Sequence, residues 1–254
     1  IDSFKSSIGP NTKVIFLSHI TSPTGLIFPI NEICSIAREH DILSIIDGAH
    51  VPGHIPIDLS EIDADIYVGS CHKWMCTPKG ASFLYCKKNL QPLIDPLVVS
   101  WGWESEYPSH SQFLDYHQWQ GTNDMSSFLT LPTVVEFLHK NKWGVIQSQC
   151  HALILEAKKI YNNYKSIEGG FCSDNDDLIG QMLTFKINAQ HPLVKDAKNN
   201  SVEELQKYIY KKSKIQIPVI VWNGDVFLRL SIQAYNTMEE VQILFLFLKD
   251  SNLI

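Results

Sequence analysis

The chain has 254 residues, 44% of them hydrophobic and 19% charged, a mixture apolar enough to offset the entropy of backbone ordering and unlike that of a disordered segment. Its net charge of −6 argues against nucleic acid or an anionic membrane as partner, since both select a basic face. No run approaches the roughly 20 apolar residues that span a bilayer, and six cysteines without a disulfide-framework spacing fit a reducing compartment. The expectation is a soluble, cytoplasmic protein. The opening Ile1-Asp2-Ser3-Phe4-Lys5 has neither an initiator Met nor a signal-peptide profile, so the start reads as arbitrary.

The first half alternates strand and helix. Val14 to Leu17 is a short apolar run suited to a strand buried on both faces, and Pro23-Thr24-Gly25 breaks it. From Ile30 the apolar residues Ile33, Ile36 and Ala37 recur at helical spacing. Further strands are predicted at Ile42 to Ile46, ending on Asp47-Gly48, at Ala64 to Val68, and at Ala81 to Tyr85. Such alternation implies a largely parallel sheet with right-handed crossovers.

The stretch from about Leu90 to Gln120 reads as irregular and aromatic. Helical patterns follow over Thr133 to Trp143 and Val145 to Tyr164. The remainder predicts a strand at Met182 to Ile187, a helix at Ser201 to Lys212, strands at Val219 to Trp222 and Val226 to Ser231, and a final helix from Thr237 to Lys249. Capping boxes pair Ser201 with Glu204 and Thr237 with Glu240. The expected organisation is α/β over residues 1–143, followed by a linker helix and a small α+β domain over 144–254.

Ligands of open α/β sheets sit beyond the carboxyl ends of the strands. There the sequence places Asp47 and His50 after the second strand, and Ser70, His72 and Lys73 after the third. A carboxylate and a lysine at neighbouring strand ends suit pyridoxal 5'-phosphate, which needs an amine for a Schiff base and an anion beside its pyridine nitrogen. Desolvation lowers the pKa of an amine and so frees it for that bond. Spacing alone leaves two plainer readings open, a surface lysine and a strand-end turn aspartate.

The ordered segments Ser18-His19-Ile20-Thr21-Ser22-Pro23-Thr24-Gly25, Ile46-Asp47-Gly48-Ala49-His50 and Cys71-His72-Lys73-Trp74 resemble the class V aminotransferases, in particular their isopenicillin N epimerase-like branch. Ser100-Trp101-Gly102-Trp103, Trp119-Gln120-Gly121-Thr122 and Leu228-Arg229-Leu230-Ser231 continue the likeness in the same order. The resemblance implies a fold-type I large domain with pyridoxal 5'-phosphate as cofactor. It implies that Lys73 forms the Schiff base, that Asp47 meets the pyridine nitrogen, and that His50 meets the phenolic oxygen. Ser70 and His72 match phosphate contacts. Gly121 and Thr122 match a segment that reaches the neighbouring subunit's cofactor, which implies a homodimer. Arg229 matches the arginine for the substrate α-carboxylate, and Ser22 stands where some relatives place Asn beside the ring.

The reaction so implied acts on an amino acid through a quinonoid intermediate, as epimerase, aminotransferase or C–S lyase. Asn123 replaces an Arg common in relatives, and the relatives extend further at the N-terminus. The alternative reading is therefore a non-catalytic fragment, or one subunit of a split enzyme whose partner chain supplies the missing N-terminal segment. Metal sites built on His50 with His54, or on Cys71, His72 and Cys76, are not expected: Pro52 and Gly53 interrupt the first, and no second pair completes the other. Cys172 compares with the loop cysteine of desulfurases, but Asp174, Asp176 and Asp177 give it no electropositive neighbour.

Overall fold

The computed structural model describes residues 1–118, 120–164 and 175–254. They form two compact units, one of Ile1–His19, Pro29–Pro52 and Ile57–Phe137, the other of Ile20–Phe28, Gly53–Pro56 and Leu138–Ile254.

The first unit contains α1 (Asp2–Ser7), β1 (Val14–Ser18), α2 (Ile30–Glu39), β2 (Leu43–Asp47), α3 (Leu59–Ile62), β3 (Ile66–Ser70), β4 (Ser82–Cys86), α4 (Gln112–Gln118) and α5 (Ser126–Leu129). Its sheet runs β1-β2-β3-β4. The first three strands are parallel, and β4 runs antiparallel to β3. The expected parallel sheet stops there for a simple reason: residues 71–81 are too few for a parallel crossover, which takes a dozen or more. The α2 helix buries Ile30, Ile33, Cys34, Ile36 and Ala37 and leaves Glu32, Arg38 and Glu39 exposed. It ends where Asp41 turns left-handed, with φ of 54°.

At the amino-terminal rim of this sheet, the carboxylate of Asp65 accepts from the Ser44 amide (2.8 Å) and hydroxyl (3.0 Å) and pairs with Lys87 at 3.1 Å. That clamp joins β2, β3 and the end of β4 at this rim. The stretch read as irregular contains α4, where Phe113 lies 4.3 Å from the His117 ring and Tyr116 stacks on Trp103 at 4.4 Å. None of its residues is fully buried, so no apolar stripe marks that helix in the sequence.

After α6 (Leu131–Lys140), whose residues straddle the division, Lys142 takes a left-handed φ of 50° and separates α7 (Trp143–Asn163). The second unit continues with β5 (Met182–Lys186), α8 (Pro192–Asn199), α9 (Glu203–Ser213), β6 (Val219–Trp222), β7 (Asp225–Ser231) and α10 (Met238–Asp250). Its antiparallel sheet has the order β5-β7-β6. Asn223 and Gly224 join β6 to β7 with φ of 47° and 80°, the two positive values that a tight hairpin turn demands. Phe185 is fully buried at the centre of this core, with the rings of Tyr161 and Phe245 5.0 and 5.4 Å away.

The capping box at Thr237 and Glu240 is present. The one at Ser201 and Glu204 is not. There α9 starts after Val202, the Ser201 hydroxyl accepts from the Glu203 amide at 3.2 Å, and Glu204 pairs with Lys207 at 2.9 Å instead. No helix among the described residues is long and apolar enough to cross a membrane.

Candidate active site

The parallel register sets Asp47 opposite Val68, so β2 and β3 end side by side and deliver Asp47 and Ser70 to one rim. The chain turns sharply after Asp47: its carboxylate accepts the Ala49 amide at 2.9 Å, and the Val51 amide closes on the Gly48 carbonyl at 2.8 Å. The Ser18 hydroxyl, at the end of β1, lies 3.4 Å from the other carboxylate oxygen. The aspartate is thus held from its own turn and from the neighbouring strand.

Beneath this turn lies a buried polar pair that sequence reasoning did not single out. The Tyr67 hydroxyl and His19 Nδ1 are 3.0 Å apart. Burial lowers the His19 pKa to about 4, so the ring is neutral. Burial first, and then the nearby Asp47 charge, raise that of Tyr67. Nothing in the local spacing signals the pair, because its members stand 48 residues apart.

Residues 71–81 form a segment pinned at its base. The Ala81 carbonyl accepts from the amides of Cys71 (3.0 Å) and His72 (3.3 Å) and from His72 Nδ1 (3.0 Å). A carbonyl only accepts, so His72 Nδ1 carries a proton, and Nε2 can donate to an anion only from the doubly protonated ring. Lys73 is exposed on this segment, and its carbonyl receives the Cys76 amide at 3.2 Å. Trp74, only 8% exposed, directs its indole N–H at His50 Nδ1, 3.3 Å away.

Among the candidate residues, the first unit therefore gathers Asp47, His50, Ser70, His72 and Lys73 around the ends of β2 and β3. Gly121 and Thr122 belong to the same unit but lie between α4 and α5, with Gly121 at φ of 98° and Thr122 exposed. Ser22 and Arg229 meet each other in the second unit. There the Arg229 guanidinium donates through Nη1 to the Ser22 carbonyl, and its approach to the Ser22 hydroxyl is 3.2 Å. Burial lowers the Arg229 pKa, and its Nε is buried with no partner among the described residues. An orphaned guanidinium donor is suited to an incoming carboxylate. Arg229 also borders a cleft of about 420 Å³ with Pro218, Ile232, Asn236 and Ile243.

His54 takes a structural place in the second unit. Its Nε2 accepts the Gln181 amide at 2.5 Å, and the Gln181 side chain returns a bond to the His54 carbonyl at 2.9 Å. Among the described residues, no three His, Cys, Asp or Glu side chains are grouped as metal ligands. Trp119 and Cys172 lie outside the described residues.

The chain matches the Aminotransferase class-V family over residues 1–244. An isopenicillin N epimerase from Streptomyces clavuligerus is 30% identical, the match covering 93% of this chain and 59% of that protein. A putative L-cysteine desulfhydrase of Oryza sativa subsp. japonica is 26% identical over 92% of this chain and 50% of its own length. The chain thus spans between half and three fifths of these relatives. A cysteine desulfurase structure from Thermococcus onnurineus NA1 superposes with a TM-score of 0.78 at 17% identity, covering 94% of this chain and 60% of that one. The fold is therefore the fold-type I arrangement expected from the sequence, and the chain belongs to the class-V aminotransferase family.

Proposed function

We propose that this polypeptide supplies most of the active site of a pyridoxal 5'-phosphate-dependent enzyme acting at Cα or Cβ of an amino acid. One observation carries the reading: a carboxylate, an exposed amine, a hydroxyl and two imidazoles stand on the carboxyl rim of two adjacent parallel strands. That donor set suits the cofactor group by group. Lys73 is the attachment point, Asp47 the anion for the pyridine nitrogen, His50 the contact for the phenolic oxygen, and Ser70 and His72 the phosphate contacts. When bound, the cofactor withdraws electrons from the bonds at the substrate's Cα.

The rest falls to the protein. Arg229, whose Nε has no partner among the described residues, takes the substrate α-carboxylate, and Ser22 fixes the guanidinium. The Lys73 amine, when not bonded to the cofactor, would be the acid and base that moves the Cα proton. Returning the proton to the opposite face gives epimerisation, and returning it elsewhere gives transamination. Expulsion of a β-sulfur group gives C–S cleavage. The residues gathered here serve all three. The likeness to isopenicillin N epimerases and L-cysteine desulfhydrases keeps epimerase and lyase foremost.

Residues 1–143 act as the C-terminal portion of the cofactor domain, and 144–254 as the linker helix and small domain. A homodimer brings Gly121 and Thr122 to the neighbouring subunit's phosphate, and the reducing cytoplasm is the compartment in which the thiols of Cys34, Cys71, Cys86 and Cys150 remain reduced. A second reading has its own support. Val14 and Phe16, on one face of β1, are 48% and 72% exposed, although strands of this type are ordinarily covered on both faces. Together with the partial coverage of relatives, this favours further polypeptide, an N-terminal segment or a partner chain, over that face. The chain by itself is then non-catalytic.

The deciding experiment is an absorbance titration of the purified protein with pyridoxal 5'-phosphate, repeated with Lys73→Ala. A visible band that disappears in the variant supports the enzyme reading. A folded protein that never develops the band puts the fragment reading first.

A further inference from the structure

The indole N–H of Trp74 can only donate, so the atom it meets, His50 Nδ1, must be the acceptor. A neutral imidazole that accepts at Nδ1 carries its proton at Nε2. The alternative tautomer would set two N–H groups head to head across 3.3 Å in a place where Trp74 is buried. Unpaired donors in such a place are costly. The turn over Gly48 and Val51 holds the backbone on either side of His50, and the Trp74 indole is a donor aimed at its Nδ1.

We propose that Trp74 is a positioning residue that holds the His50 proton at Nε2, so that the turn after β2 presents an N–H donor. The inference rests on the proposed function only in assigning that donor its target, the phenolic oxygen of the cofactor. The residue immediately after the cofactor lysine thereby determines what the imidazole after β2 offers the same ligand. The contact that assigns it spans 24 residues of sequence and exists because β2 and β3 are neighbours. His72 receives the opposite assignment, its Nδ1 proton being set by the Ala81 carbonyl. Two histidines on one rim are thus given different proton positions by different partners.

The test uses histidine- and tryptophan-labelled protein and begins without cofactor. Two-bond ¹⁵N–¹H correlations should show His50 solely as the Nε2–H form. A through-hydrogen-bond ¹⁵N–¹⁵N coupling should link Trp74 Nε1 to His50 Nδ1 in the unmutated protein. Absence of that coupling, or an Nδ1–H ring, overturns the proposal without reference to any variant.

Trp74→Phe removes the donor and keeps an aromatic ring. It should populate both tautomers and weaken pyridoxal 5'-phosphate binding several-fold, up to about tenfold, as the loss of one neutral hydrogen bond predicts. In a His50→Gln background the carboxamide carries its own donor, so Trp74→Phe should change the affinity no further. An equal loss in both backgrounds would mean that Trp74 acts through packing alone and would overturn the proposal. Failure of the wild-type protein to bind the cofactor overturns the proposed function instead, while the tautomer, already read without cofactor, stands on its own result.

Discussion

The Tyr67 ring occupies the space into which a side chain at residue 48 would project, so that a Cβ built on Gly48 overlaps the phenol carbons and hydroxyl. Gly48 is the residue after Asp47, and the requirement for glycine there comes from this close approach rather than from an unusual φ. Gly48→Ala is expected to cost about 1–3 kcal/mol, the usual range for overpacking a tight site, and to displace the Asp47 carboxylate with it. Chemical denaturation and cofactor titration check the two effects separately. An unchanged midpoint would show that the turn yields without strain.

His19 makes stability depend on acid. Its pKa is about 4 in the folded protein against an ordinary 6.5, so below pH 6.5 the unfolded chain takes up a proton that the folded chain refuses. The stability present above that value is therefore lost as the pH falls towards 4, by up to roughly 3 kcal/mol from this one group. His19→Gln should flatten the profile between those limits even if it lowers stability overall. Urea midpoints measured across that window would refute the assignment if the slope survives the substitution.

Thr237 and Ser201 present a contrast between a formed and an unformed box. Thr237→Ala removes a hydroxyl that caps α10 and should cost about 1 kcal/mol. Ser201→Ala should cost under about 0.5 kcal/mol, as expected for an exposed residue outside such a motif. Thermal melts of the two variants rank them directly.

Arg229→Lys preserves the charge but gives up the forked guanidinium. If Arg229 binds the substrate carboxylate, KM for the amino acid rises ten- to a hundredfold, matching the 1.5–3 kcal/mol of a hydrogen bond to a charged group, while the cofactor absorbance stays unchanged. Steady-state kinetics beside the spectrum separates this from a general loss of structure.

Much of the fold was legible because its strands are short apolar runs bounded by turn residues. Val14 to Leu17 and Met182 to Ile187 differ from β1 and β5 by a residue at one end. The placement of the candidate residues was legible where they follow strand ends, as at Asp47, Ser70 and Lys73. Contacts made across strands were not. Trp74 with His50, and His19 with Tyr67, are joined only by the pairing order of the sheet. The α8 helix was missed because Pro192 to Asn199 has just Val194 and Ala197 buried, too short an apolar stripe to register as a period. At Ser201 the motif was present but the helix began elsewhere, since Ser201 bonds the nearer amide of Glu203.

The Ala81 carbonyl, which gathers three donors at the base of residues 71–81, makes Lys73 a swinging arm on a fixed pivot. With both ends of the segment fastened at one point, the amine's reach is set by rotation about its own four-carbon stem and not by travel of the main chain. The pivot itself has no chemistry, and Ala81 is fully buried. A residue whose side chain is a single methyl group thus holds, through its main-chain carbonyl, the segment from which Lys73 projects.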